Sequence, residues 1–417
     1  MAVEPNLAQA IAKRCAQAKE NEQNFRALVP GSDNCSLASG LAERLMAQYP
    51  DSQNRPPLYG KLLGVKDVFL SGNIPTRAGS LLPRNVFAGQ AAIPVAQLIN
   101  AGAILMAKTT CSEFNYISKP PTLNPLVRER SPGGSSTGSA AAVAAGICDL
   151  ALGSQSRAGI MMPAAFCGIL GFKPSSGRIS RQGLISFSPT LEQPGILARE
   201  FDILHNAAKI LLNKDQAEID ADTKPALGIP SQVFLAQADS EVLDHFEYLL
   251  GSLNAAGYRI RQLDAGNNYL KINQCHRDLY AAEFTQQLIP LIGKYGHLFS
   301  LATRELYETG LKVLPEKLYR ARELQPQFRE ELQDEMNARA VTLLLSPSTA
   351  TLPPLVSAEP ISTALSLPFS FCGLPTLSVP IGDHPSGLPF GLQISAAWGW
   401  DEYLLQQAEQ IWSALNR

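Results

Sequence analysis

Residues 131–146 read Ser-Pro-Gly-Gly-Ser-Ser-Thr-Gly-Ser-Ala-Ala-Ala-Val-Ala-Ala-Gly, a run in which no side chain exceeds valine or proline in bulk. Gly133, Gly134 and Gly138 open backbone geometries closed to other residues. The hydroxyls of Ser135, Ser136, Thr137 and Ser139 crowd the same turn, and the small residues that follow suit a segment packed closely on its neighbours. A phosphate loop would need a lysine after its last glycine, and a dinucleotide fingerprint would need Gly-x-Gly-x-x-Gly; neither pattern is present. Such a run belongs inside a large buried scaffold. With 417 residues, 45% of them hydrophobic and only 17% charged, the chain can build one.

Charge and cysteine narrow the classes further. Thirty-five Lys and Arg against 37 Asp and Glu give a net of −2, which argues against binding nucleic acid by phosphate neutralisation. No apolar run reaches ~18 residues, so no membrane partner is expected. The opening Met1-Ala-Val-Glu-Pro lacks the basic and apolar regions of a leader. The seven cysteines are an odd number, widely spaced and without Cys-x-x-Cys, which fits reduced thiols and a cytoplasmic location. The five histidines are scattered and Cys275-His276 stands alone, so neither a metal nor an organic cofactor is expected.

Periodicity sets the organisation. Residues 7–18 and 40–48 suggest amphipathic helices. Between 58 and 198, short apolar runs such as LLGVKDVFL, GAILMAKTT and GILGFKP alternate with Gly, Ser and Pro, the α/β pattern of buried strands with helices between. Residues 201–340 read as a mainly helical layer. Apolar, Pro-rich strand character returns over 341–354 and 373–382, before a last helix over 401–416. The expectation is one domain over 1–417: a large, mostly mixed, twisted sheet flanked by helices, with strands from both ends of the chain and an inserted helical layer.

Lys66 lies inside the apolar run Leu62–Leu70. A lysine there is partly desolvated, which lowers its pKa and suits it to act as a base; the competing reading is a lysine reaching past a sheet edge to solvent.

Taken together, these segments resemble the amidase signature family, whose members hydrolyse or transfer acyl groups at linear amides. The resemblance rests on Gly64-Val-Lys-Asp67, Pro75-Thr-Arg-Ala-Gly-Ser80, Gly133-Gly-Ser-Ser-Thr-Gly-Ser-Ala-Ala-Ala-Val143, Pro163-Ala-Ala-Phe-Cys-Gly168 and Gly171-Phe-Lys-Pro-Ser-Ser-Gly-Arg-Ile-Ser-Arg181. It continues in Leu344-Leu-Ser-Pro-Ser-Thr349, Gly373-Leu-Pro-Thr-Leu-Ser-Val-Pro380 and Gly387-Leu-Pro-Phe-Gly-Leu-Gln393. It implies an amidase signature fold and a Ser–cis-Ser–Lys triad. Lys66 then matches the base and Ser135 the bridging serine, with backbone N–H groups of the Gly-rich turn serving the oxyanion.

One element departs from the family pattern. Aligned without gaps, the family's Gly-Ser-Asp-Thr-Gly-Gly-Ser-Ile-Arg-Ile-Pro falls on Gly153-Ser-Gln-Ser-Arg-Ala-Gly-Ile-Met-Met-Pro163. The nucleophile position is therefore Gly159, which has no side chain to attack with. Gln155 stands for Asp, Arg157 and Ala158 for glycines, and Met161 for Arg. Two readings stay open. In one, a divergent amidase uses Ser135, Ser154 or Ser156 as replacement nucleophile with Lys66, or Lys66 serves as base for a reaction without an acyl-enzyme, while Ser136, Arg157, Ala158 and Gly159 border the substrate, and Arg157 either holds a substrate carboxylate or points to solvent. In the other, a catalytically inactive homologue binds a ligand or serves as a partner or regulatory subunit. The expected ligand is a small amide or acyl compound, and association as a homodimer or with a partner subunit is compatible with either.

Overall fold

The computed structural model describes residues 6–213, 224–264, 268–358, 361–382 and 384–416. Residues 1–5, on which the leader reading falls, lie outside that set. Ten strands form one sheet: β1 (Leu62–Lys66), β2 (Ile104–Thr109), β3 (Leu150–Gln155), β4 (Leu170–Lys173), β5 (Gln193–Ala198), β6 (Ala226–Ile229), β7 (Arg259–Gln262), β8 (Leu343–Pro347), β9 (Thr376–Ile381) and β10 (Phe390–Ala396). Their order is β2-β1-β3-β5-β4-β9-β10-β8-β6-β7. β1 runs parallel to β2 and β3, whereas β3–β5, β5–β4, β4–β9, β9–β10 and β10–β8 are antiparallel. The sheet is therefore mixed, and strands from the front and back of the chain meet at β4–β9.

Burial on both faces explains why these strands read as continuous apolar runs rather than alternating ones. Every residue of β1, β3, β4 and β5 is buried. On one face lies the small-residue helix Thr137–Ala144, which touches β1, β2, β3 and β5. Its closeness depends on glycine: a Cβ at Gly138 would stand 2.2 Å from the Ala27 carbonyl oxygen. The Met161–Phe166 helix continues that layer over β4, β9 and β10. The Phe201–Leu211 helix packs on β4 and β5, and the Asp401–Leu415 helix packs on β9 and β10. The two meet through Phe201 and Trp412, whose ring centroids are 5.5 Å apart.

The 201–340 region corrects the helical expectation in one respect. Besides the long helices Tyr269–Tyr295 and Pro315–Ala338 it contributes β6 and β7, which extend the sheet at its far edge, β6 pairing parallel with β8 and β7 parallel with β6. These four-residue strands lack a periodic signal, and the edge strand β7 is mostly exposed. No helix among the described residues is long and apolar enough to cross a membrane.

Candidate active site

Lys66 is the last residue of β1 and is fully buried, so the solvent-reaching alternative does not hold. Its Nζ donates to Ser135 Oγ at 2.9 Å, to Ser154 Oγ at 2.9 Å and to the Ser154 carbonyl at 3.3 Å. Burial lowers its pKa to about 8, against the opposing pull of Cys111 and Glu192. Once neutral, the amine has a lone pair that can accept the Ser135 proton.

Ser135 follows a cis Gly134–Ser135 peptide bond in the turn leading into the Thr137–Ala144 helix. It is half-buried and forms part of the wall of a cleft of about 350 Å³. Ser156, Arg157, Ala158 and Gly159 border the same cleft. Ser154 and Ser136 do not. Both are fully buried, and they hold the turn from behind: Ser154 Oγ donates to Glu192 at 2.7 Å, and Ser136 Oγ donates to the Ser154 carbonyl at 3.2 Å. The Ser136 N–H donates to the Gly159 carbonyl at 3.2 Å. The structure thus brings Lys66, Ser135 and Ser154 together, but of the two serines only Ser135 joins the lysine to the cleft.

The turn 154–159 is closely fitted. A Cβ at Gly159 would lie 3.0 Å from Ser135 Oγ and 2.5 Å from the Ser154 carbonyl oxygen. Gln155 accepts the N–H groups of Ile160 (2.8 Å) and Met161 (3.0 Å), capping the start of the Met161–Phe166 helix, and donates to Ser370. His276 Nε2 lies 2.9 Å from the Ser156 carbonyl, and since a carbonyl only accepts, this nitrogen carries the proton. Burial lowers the His276 pKa to about 3, so the ring is neutral near neutral pH. Arg157 lies against two stacked tyrosines, with its guanidinium carbon 5.2 Å from each of the Tyr116 and Tyr280 ring centroids.

Sequence reading missed Glu192 and Asn115. Glu192 precedes β5, diagonally across from Ser154 on β3. Burial raises its pKa, with Lys66 opposing, so burial pushes both ends of the Lys66–Ser154–Glu192 chain toward their neutral forms. The available signal was a lone acid in the uncharged stretch 182–198. Asn115 donates to both Glu192 and Ser154 from a loop with no periodic pattern to mark it. No group of three or more His, Cys, Asp or Glu among the described residues could hold a metal.

The sheet, the lysine at the end of β1 and the serine-rich turn beside it define an amidase-type scaffold. The chain belongs to the amidase signature family, whose model, described as Amidase, matches residues 9–405. A glutamyl-tRNA(Gln) amidotransferase subunit from Thermus thermophilus is 32% identical, over 88% of this chain and 87% of that one. A crystal structure of an amidase superposes with a TM-score of 0.87 at 29% identity, covering 97% of this chain and 96% of the other. The native peptide amidase of Stenotrophomonas maltophilia, 24% identical, shares the fold with a TM-score of 0.84 over 98% and 93% of the two chains.

Proposed function

We propose that this protein cleaves or transfers the acyl group of a linear amide in the cleft beside Ser135, by a mechanism that does not use a side chain at position 159. The observation that carries this reading is the 2.9 Å contact between Lys66 Nζ and Ser135, whose hydroxyl also borders the cleft. Neutral Lys66 takes the Ser135 proton while Oγ bonds to the amide carbonyl carbon. The lysine returns that proton to the leaving nitrogen as the C–N bond breaks, and water or another acceptor then releases the acyl group. Ser154 is unsuited to attack, because its Oγ is buried and bonded to Glu192. Ser156 borders the cleft, but the lysine bonds to Ser135 and Ser154 instead.

The family relatives are amidases and amidotransferase subunits, which supports amide chemistry and is compatible with a partner subunit for this chain. A second reading, a homologue that binds without turnover, is favoured by the turn itself. The Ser154 carbonyl occupies the space a side chain at 159 would need.

Fluorophosphonate labelling with peptide mass mapping separates them. The expected result is an adduct on Ser135 that disappears in Lys66→Ala. No adduct on the wild type, beside a labelled serine hydrolase treated in parallel, would favour the binding reading; an adduct on Ser154 or Ser156 would reassign the nucleophile.

A further inference from the structure

We propose that the cleft takes an anionic amide, a small ligand whose carboxylate is held by Arg157 while its carboxamide is presented to Ser135. This deepens the reading above and rests on it in taking the cleft as the substrate site.

The cation is placed but unsatisfied. Two tyrosine faces hold the Arg157 guanidinium, and ring faces attract a cation without accepting its in-plane N–H donors. None of the ion pairs among the described residues includes Arg157. Its backbone is pinned, since Ser370 Oγ donates to the Arg157 carbonyl at 2.6 Å and His276 holds the neighbouring Ser156 carbonyl. The guanidinium is therefore set at the cleft wall with its fork of donors open to a ligand. A carboxylate fits that fork with two parallel hydrogen bonds.

The rest of the wall agrees. Among the described residues of its lining, Arg157 is accompanied by no aspartate or glutamate, which suits an anion. Two buried polar atoms on the same wall have no partner: Asn115 Oδ1 and Thr137 Oγ1, on residues 5% and 3% exposed. The Asn115 amide nitrogen is committed to Ser154 and Glu192, so its oxygen is left to accept, which suits the N–H of a carboxamide. Asn115 (φ 60°) and Phe114 (φ 49°) are both held in the left-handed region, where non-glycine residues are uncommon. Packing of the Phe114 ring on Phe187 (4.8 Å) and Phe299 (5.0 Å) maintains that conformation. Strain maintained in this way is a feature of ligand sites.

The test is titration calorimetry of half-amides of straight-chain dicarboxylic acids of increasing length, each beside its neutral diamide, into the wild type and into Lys66→Ala to stop turnover. At least one half-amide is expected to bind about tenfold or more tightly than its diamide, as a hydrogen-bonded charge would give. The preference should weaken with added salt. Arg157→Gln should abolish it and Arg157→Lys retain part of it. Equal affinity at every chain length, no binding at all, or a preference unchanged in Arg157→Gln would overturn the proposal; the wild-type comparison decides even if a variant fails to fold. Anion-selective binding without product and without a Ser135 adduct would overturn the hydrolytic reading alone. Turnover of neutral amides with no anion preference would overturn this inference alone.

Discussion

Lys66 and Lys173 are each the last residue of a buried strand, β1 and β4, and burial lowers the pKa of each to about 8. Their partners differ. Lys173 donates to the carbonyls of Pro174 and Leu374, which accept and can give nothing back. Lys66 donates to two hydroxyls, one of which borders the cleft. Lys108 resembles Lys173: it too is lowered to about 8, and its ammonium is spent on the Phe69 carbonyl, Thr76 and Asp67. A lowered lysine is therefore not by itself a base. What separates Lys66 is a partner that carries a transferable proton and also borders the cleft.

Substitutions at the two strand ends break the comparison most directly. Lys66→Ala is expected to reduce turnover of an amide substrate by about 10²–10⁴-fold, the usual contribution of a positioned proton acceptor, and Ser135→Ala, which removes the attacking hydroxyl, by at least as much. Lys173→Met should leave turnover nearly intact and instead lower stability by about 1–3 kcal/mol for each buried carbonyl it leaves unpaired, as read from urea unfolding. Equal loss of turnover in Lys173→Met would erase the distinction.

The stability cost at Lys173 carries a pH signature. Between about pH 8 and the unfolded value of 10.5, native Lys173 is neutral while the unfolded chain still holds the proton. Stability from this residue therefore rises with pH across that window, and the penalty of Lys173→Met should grow with it.

Gly159→Ser sharpens the comparison from the opposite wall. Its Cβ meets backbone at 2.5 Å, so stability should fall by about 1–3 kcal/mol, measured by urea unfolding, with no gain in turnover. A gain would show that the turn can relax and that a hydroxyl at 159 attacks better than Ser135. The smallest expected effect is on the rate profile. In the proposed mechanism Lys66 acts as the neutral amine, so kcat/KM should rise about tenfold per pH unit below about 8 and level off above it. A profile flat from pH 6 to 9 would count against Lys66 as the base.

Much of the sheet was legible in the chain. The strands buried on both faces, β1 to β4 and β8 to β9, fall in apolar runs bounded by glycine and proline, because burial on both faces removes the need for alternation. β6 and β7 were not legible: four residues give too short a pattern, and their place comes from the pairing of β6 with β8 and of β7 with β6. Ser135 and Lys66 stood out through the glycine-rich turn and a charge in an apolar run. Ser154 and Ser136, expected at the cleft, lie behind its wall because the packing of β3 against the serine-rich turn buries both.

The sequence by itself determined the family, the mixed α/β sheet and the absence of a side chain at 159, since these depend on local composition and on motifs carried by contiguous residues. Only the tertiary structure decided which serine meets both lysine and cleft, that Glu192 and Asn115 close the network behind them, and that Arg157 rests on Tyr116 and Tyr280. Those facts join residues far apart in the chain, as Arg157 and Tyr280 are. Contacts of that separation are set by how the sheet and the helical layer pack, and no local pattern encodes them.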